Sequence, residues 1–256
     1  MALYKSIVAY DGTEFQGFQR QAAGIRTVQG ELEAALTKLG WEQDSLQAAG
    51  RTDSGVHASG QVISFDLSWE HGLETLTRAL NAHLPADVAV QSSEPAPEGF
   101  HPRFSASSRC YRYRLFVSPF RNPLMERFAL RVWPAPDVKS MQQLAQAMLG
   151  RMDYGAFGSA PIQGGHTVRE VIRAVWTPGK DGLTFDIEGD AFLKNMVRRL
   201  VAASLAVGRG EIPVDLPLAL LGQSQEHWEG RLAGPQGLCL EAVRYDDRTR
   251  SAAIDA

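Results

Sequence analysis

The chain has 256 residues, room for one large domain or two smaller ones. With 44% hydrophobic and 21% charged residues and no run of about 18 apolar residues, the composition is that of a globular protein without a membrane-spanning helix. A net charge of −3 excludes a uniformly basic nucleic-acid binder and leaves that role to a local basic patch.

In chain order, LYKSIVAY reads as a first strand. TVQGELEAALTKLG then places Val28, Leu32, Ala35, Leu36 and Leu39 on one helical face, with Thr27 as N-cap and Gly40 as the stop. A further short strand is expected near Leu46. QVISFDL (61–67) reads as a strand, and LETLTRALNAHLP (73–85) as a helix ended before Pro85. DVAVQSS is a short strand. Residues 94–103, EPAPEGFHPR, are rich in Pro and Gly and mark the expected domain junction. CYRYRLFV (110–117) alternates, with Tyr111, Tyr113, Leu115 and Val117 on one face. RFALRVW is a strand. DVKSMQQLAQAMLG is a helix with Val138, Met141, Leu144, Ala145 and Met148 inward. VIRAVWT and LTFDIEG follow as strands, the second alternating at Leu183, Phe185 and Ile187. AFLKNMVRRLVAASLAVGRG is a long helix. A short helix near 215–222, a strand at 238–245 and a frayed tail, DRTRSAAIDA, complete the reading.

Strands and helices mix in both halves, an α+β pattern built twice without an internal sequence repeat. The expected domains are 1–100 and 101–256. The opening MALYKSIVAYDG has neither the apolar core nor the cleavage site of a secretory signal, so the cytoplasm is the expected compartment. Cys110 and Cys239 lie far apart and read as small apolar strand residues, not as a disulfide framework or a metal site.

Charge is unevenly spread. From His101 to Arg131 there are seven arginines (Arg103, Arg109, Arg112, Arg114, Arg121, Arg127, Arg131) against one acid, Glu126. From Ala191 to Gly210, Lys194, Arg198, Arg199 and Arg209 face no acid, and the four-residue spacing of Lys194 and Arg198 puts them on one helix face. Phe104, Tyr111, Tyr113 and Phe116 interleave the first cluster. Cations with aromatics suit a phosphate backbone and an unstacked base; a solvated strand face is the plain alternative. Arg112 and Arg114 point away from Tyr111.

The densest signal is GRTDSGVHA, which sets Arg51, Asp53 and His57 within seven residues. Aspartate in such a turn commonly bonds its own backbone. A hydrolase triad of Asp53, Ser54 and His57 is rejected, because triad residues meet from distant positions and no G-x-S-x-G elbow is present. No phosphate-binding loop, dinucleotide glycine pattern or clustered His/Cys ligands occur.

GRTDSGVHA resembles the active-site motif of the TruA family of tRNA pseudouridine synthases. YDGTEFQGFQRQ (10–21), TVQGELEAAL (27–36), LNAHLP (80–85), FHPRFSASSRCYRYRLF (100–116), REVIRAV (169–175), AFLKNMVRRLV (191–201) and GLCLEAVRY (237–245) resemble family segments in the same order. GRMDYGAF (150–157) departs from the His-Asp-Phe run usual there. The resemblance implies an α+β fold of two ferredoxin-like or RNA-recognition-like halves, with joined antiparallel sheets and a basic active-site cleft between them. It implies conversion of uridine to pseudouridine at positions 38, 39 and 40 of the tRNA anticodon stem-loop, by a homodimer. It makes Asp53 the catalytic group, Tyr111 the active-site tyrosine, Arg198 the partner of the aspartate, and Arg51 the residue that helps displace the target nucleotide.

Pseudouridine formation breaks the bond from ribose C1′ to uracil N1, turns the base and rejoins it through C5. No electrons leave and no energy carrier is consumed, so the resemblance implies no cofactor and no metal, and the chain carries no motif for either. An ionised carboxylate serves as nucleophile or base, and a guanidinium offsets the tendency of a buried carboxylate to protonate. Three routes stay open: attack on C6, attack on C1′, and elimination from the sugar. Tyr111 stacks on the base or accepts the C5 proton. Arg109, Arg112, Lys194 and Gln19 are candidate RNA contacts; Asp11, Gln19 and Gln21 alternatively fix a turn before the first helix, and His57 reads as structural. Two rival classes remain: a non-catalytic RNA-binding protein or chaperone, against which the presence of both Asp53 and Arg198 argues, and an N-glycosidase that uses Asp53 to release free uracil.

Overall fold

The computed structural model describes residues 1–160 and 164–245. The expected tail lies outside the described residues. The chain divides into two α+β units: Met1–Arg109 together with residues from Leu240 onward, and Cys110–Cys239.

In unit one, β1 (Ala2–Tyr10), β3 (His57–Leu67), β4 (Val88–Pro95) and the final strand β10 (Leu238–Tyr245) lie in the order β4-β1-β3-β10, and the short β2 (Gln47–Ala48) pairs with β3. The pairings of β1 with β3 and with β4 are antiparallel. Two helices, α1 (Val28–Lys38) and α2 (Leu73–His83), complete the unit. α1 forms where the sequence predicts: Thr27 Oγ1 accepts from Gly30 N–H at 3.3 Å, Val28, Leu32, Ala35 and Leu36 are buried, and Gly40 turns the chain at φ +85°. β3 begins four residues earlier than expected. Gly60 lies inside it, where a Cβ would stand 2.2 Å from the carbonyl oxygen of Glu241 on β10 and only glycine permits the approach.

The junction also differs from the expected one. Residues 94–103 do not end unit one, because the C-terminal strand ties them down. Tyr245 hydroxyl donates to Pro102 O at 2.9 Å, and the rings of Phe100 and Tyr245 lie 5.1 Å apart. The chain passes into unit two inside β5 (Ala106–Val117) and returns inside β10.

Unit two orders its strands β5-β9-β8-β7, where β7 is Gly150–Asp153, β8 Val168–Pro178 and β9 Gly182–Gly189; β6 (Leu130–Val132) runs parallel to β5. The short helix α3 (Pro123–Glu126) precedes β6, and residues 127–129 of the run expected to be strand form a turn instead. α4 (Val138–Ala147) is capped by Asp137 and buries Met141, Leu144 and Ala145 against β8 and α5 (Met196–Gly208). Gly208 permits that approach, since a Cβ there would stand 2.7 Å from Met141. α6 (Asp215–Leu220) follows. Leu183, Phe185 and Ile187 of β9 are buried in alternation, as the period predicts.

Candidate catalytic site

Asp53 is half-buried on the turn 49–56 between β2 and β3. The turn rests on segment 10–18, YDGTEFQGF, chiefly through main-chain groups. Phe18 N–H donates to Thr52 O (3.0 Å), Gly55 N–H to Phe15 O (3.4 Å) and Val56 N–H to Asp53 O (3.1 Å). Ser54 hydroxyl donates to Phe15 O at 3.1 Å, and Gln61 Nε2 to Gly50 O at 3.0 Å. Thr52 and Tyr10 hydroxyls share a 2.8 Å hydrogen bond. Two glycines make the approach possible. A Cβ on Gly12 would stand 2.0 Å from Val56 O, and Gly17, at φ +92°, lies against Thr52 and Asp53.

Behind the turn, Arg26 forks onto Asp87 at 2.8 and 2.9 Å and donates to Glu31 at 3.0 Å, with its guanidinium 4.2 Å above the Phe15 ring. The hydrogen bond to Asp87 holds this guanidinium charged beyond its already high range. Asp11 N–H donates to Asp87 O at 3.0 Å. The pair that sets this guanidinium over the Phe15 ring is 61 positions apart, and no local pattern announces it.

Asp11 carboxylate accepts from Thr13 N–H and hydroxyl, and His57 Nδ1 accepts from Gly12 N–H at 3.0 Å. Both brace the opening segment. Gln21 donates to Gln16 O at 2.6 Å. Gln19 and Arg51 are exposed.

In unit two, Tyr111 is half-buried on β5, its ring meeting Phe192 edge-on at 5.2 Å and 86°. Phe192 was not among the sequence-derived candidates; its position inside the quoted family segment is the one signal that marks it. Here the structure corrects the expected helix 191–210. Asn195 adopts φ 63°, and Lys194 N–H donates to Ser159 O at 3.0 Å, so residues 191–195 form an irregular arm and α5 starts at Met196. A Cβ on Gly158 would stand 2.5 Å from Leu193, so this close bridge requires glycine there. Lys194 is exposed and does not share a helical face with Arg198.

Arg198 lies in the first turn of α5 and donates from Nε to Ala233 O at 2.8 Å, while Ala233 N–H returns to Arg198 O at 3.4 Å. Tyr113, fully buried, donates its hydroxyl to Gly234 O at 2.7 Å. Burial pushes the Tyr113 hydroxyl well above the usual tyrosine range, with the Arg198 charge working weakly against it.

The arginine cluster is largely engaged within the protein. Arg109 is 8% exposed, and its guanidinium donates to Ala49 O (3.1 Å) and Arg103 O (2.6 Å). That placement differs from a solvent-facing RNA contact, because the unit's own carbonyls take its donors. Arg112 pairs with Asp186 at 2.6 Å, and Arg121 and Arg131 converge on Glu126 at 2.9 and 3.3 Å. In the divergent loop, Asp153 accepts from Gly155 N–H at 2.8 Å while Tyr154 and Phe157 are buried, a supporting role for the segment. Among the described residues, no group of three or more His, Cys, Asp or Glu is placed to hold a metal ion, and no helix is long and apolar enough to cross a membrane.

Residues 7–105 and 144–246 match the family model described as tRNA pseudouridine synthase. The chain is 38% identical to "tRNA pseudouridine synthase A" of Syntrophotalea carbinolica, over 96% of this chain and 97% of that protein. It is 39% identical to the protein of the same name from Myxococcus xanthus, over 100% of this chain and 98% of that one. It is 37% identical to that from Geobacter sulfurreducens, over 96% and 100%. A solved chain from "Crystal Structure of a Cbf5-Nop10-Gar1 Complex" overlaps 95% of this chain and 51% of its own length at 12% identity and a TM-score of 0.39, too distant to bear on fold or activity. The extent of the family match, across both units and through every motif that builds the Asp53 turn, establishes that the chain belongs to the tRNA pseudouridine synthase family.

Proposed function

We propose that this protein isomerises uridine to pseudouridine in the anticodon stem-loop of tRNA, at positions 38, 39 and 40, with Asp53 as the catalytic carboxylate. The observation that carries this reading is the construction of the Asp53 turn. Main-chain hydrogen bonds and two obligatory glycines hold one half-buried carboxylate in a fixed place, inside a chain that matches the family along nearly its whole length. Preorganisation of this kind serves a group that must meet a reacting atom.

In this proposal Asp53 attacks the uridine or removes a proton from it, and Arg198 assists as the basic catalytic residue. Tyr111 stacks on the base or takes the C5 proton. The edge contact with Phe192 fixes its ring plane for either task. Arg51, exposed two residues before Asp53, grips a phosphate or fills the space left by the displaced nucleotide, offsetting the few kcal/mol that unstacking costs. Lys194 and Gln19, both exposed, contact the RNA backbone. Arg112 is a weaker candidate because Asp186 already meets its charge, and Arg109 supports the site from within. The proposal extends to a homodimer acting in the cytoplasm.

The test uses tRNA transcripts that carry a single uridine at position 38, 39 or 40. Pseudouridine in the digested product at those positions, and unmodified transcript when the uridine is moved elsewhere in the stem, is the expected result. Free uracil in place of pseudouridine assigns the N-glycosidase reading. Binding without any product assigns the RNA-binding reading.

A further inference from the structure

Phe104 is 76% exposed at the tip of turn 101–105. One exposed apolar residue is ordinary, but this one stands on a turn that is fixed from several directions. His101 N–H donates to Ser105 Oγ (3.1 Å), Ser105 N–H to His101 O (2.9 Å) and Arg103 N–H to His101 Nδ1 (3.1 Å). Tyr245 hydroxyl holds Pro102 O, and the buried Arg109 guanidinium holds Arg103 O. His101 lies 4.4 Å from the Phe104 ring, and the Arg103 guanidinium carbon 5.6 Å from it. The result is a rigid aromatic face with a cation beside it, which hydrophobic burial within the protein does not explain.

The nitrogen of Arg109 that grips Arg103 O also grips Ala49 O. Ala49 is four residues before Asp53, at most about 14 Å of extended chain. Turn 101–105 and the catalytic turn are therefore wired to the same buried guanidinium, within unit one.

We propose that turn 101–105 is a stacking platform for an unpaired base of the RNA substrate neighbouring the target uridine. Phe104 supplies the ring and Arg103 meets the adjoining phosphate. This deepens the function proposed above and rests on it. Every base has a π-face, so such a platform secures the strand without reading its sequence. The buried Arg109 then has a defined task, which is to hold platform and catalytic turn in register.

The experiment compares wild type with Phe104→Ala, Phe104→Leu and Phe104→Tyr in tRNA dissociation constant, rate of tritium release from tRNA labelled at uracil C5, and thermal midpoint. Loss of stacking is expected to weaken binding of the Ala and Leu variants by roughly tenfold. Phe104→Tyr should bind like wild type, and all four midpoints should agree. Wild-type affinity in Phe104→Ala, or equal recovery by Leu and Tyr, overturns the platform while leaving the catalytic reading standing, provided that wild type releases tritium. Failure of wild type to release tritium overturns both.

Discussion

The two units hold their key residues in different ways. The Asp53 turn is fixed by backbone on backbone, with glycines where no side chain fits and main-chain donors from segment 10–18. Tyr111 and Arg198 are held instead by side chains: an aromatic edge from Phe192, and the Arg198 and Tyr113 bonds to the 233–234 carbonyls. Backbone contacts fail all at once, whereas side-chain contacts loosen by degrees. The carboxylate whose position matters most is accordingly built on the part that tolerates least.

Substitutions put this contrast to the test, and the largest effect belongs to Gly12→Ala. Its Cβ would stand 2.0 Å from Val56 O, a clash only main-chain movement relieves. About 3 kcal/mol or more of destabilisation is expected, read as a fall in midpoint of at least roughly 6 °C, with activity lost even where the protein remains folded. Retention of wild-type activity would break the comparison. Next comes Arg26→Met, which removes the fork on Asp87. The pair is partly exposed, so its loss should cost only about 1 kcal/mol. Turnover should still fall about tenfold as Phe15 loses the guanidinium packed over its ring, with tRNA affinity unchanged. Arg26→Lys, which keeps the charge but not the fork, should recover little of it.

On the side-chain-held region the expected effects are smaller. Phe192→Leu removes an edge contact worth about 0.5–1.5 kcal/mol, and a three- to tenfold drop in turnover is expected with little change in midpoint. Tyr113→Phe deletes the bond to Gly234 O at a cost of about 1 kcal/mol, or roughly 2–4 °C. Its pH dependence sharpens the assignment. Folding raises the hydroxyl above its ordinary value of 10.0, as it does for Tyr154 and Tyr245. Above that value the folded state binds more protons than the unfolded one, so stability is full below about pH 10 and falls as pH rises further. Midpoints measured from pH 8 to 11 should fall less steeply in Tyr113→Phe than in wild type.

Much of this was legible in the sequence. The 3.6-residue period located α1 and α4, the Thr27 cap marked the start of α1, alternation located β9, and the motif around Asp53 located the catalytic candidate. The failures share one cause, contacts distant in sequence. The start of α5 was misplaced because the bridge from Lys194 to Ser159 overrides helical periodicity. β3 was started late, at residue 61, because the close approach of Gly60 to β10 joins positions some 180 residues apart. Charge counting overstated the basic patch, since Asp186, 74 positions away, meets the charge of Arg112. Arg109 likewise bonds Ala49 O, 60 positions away, a contact that counting charges does not reveal.

The central claim is that Asp53 performs the reaction. Its most direct test follows tritium release from tRNA labelled at uracil C5 by wild type, Asp53→Asn and Asp53→Ala. Joining C1′ to C5 must expel that hydrogen. Release by wild type, with a loss of about 10⁴-fold in both variants and tRNA affinity within a few fold, is the expected result. Equal release by all three would contradict it, and would reduce the 49–56 turn to a structural bend.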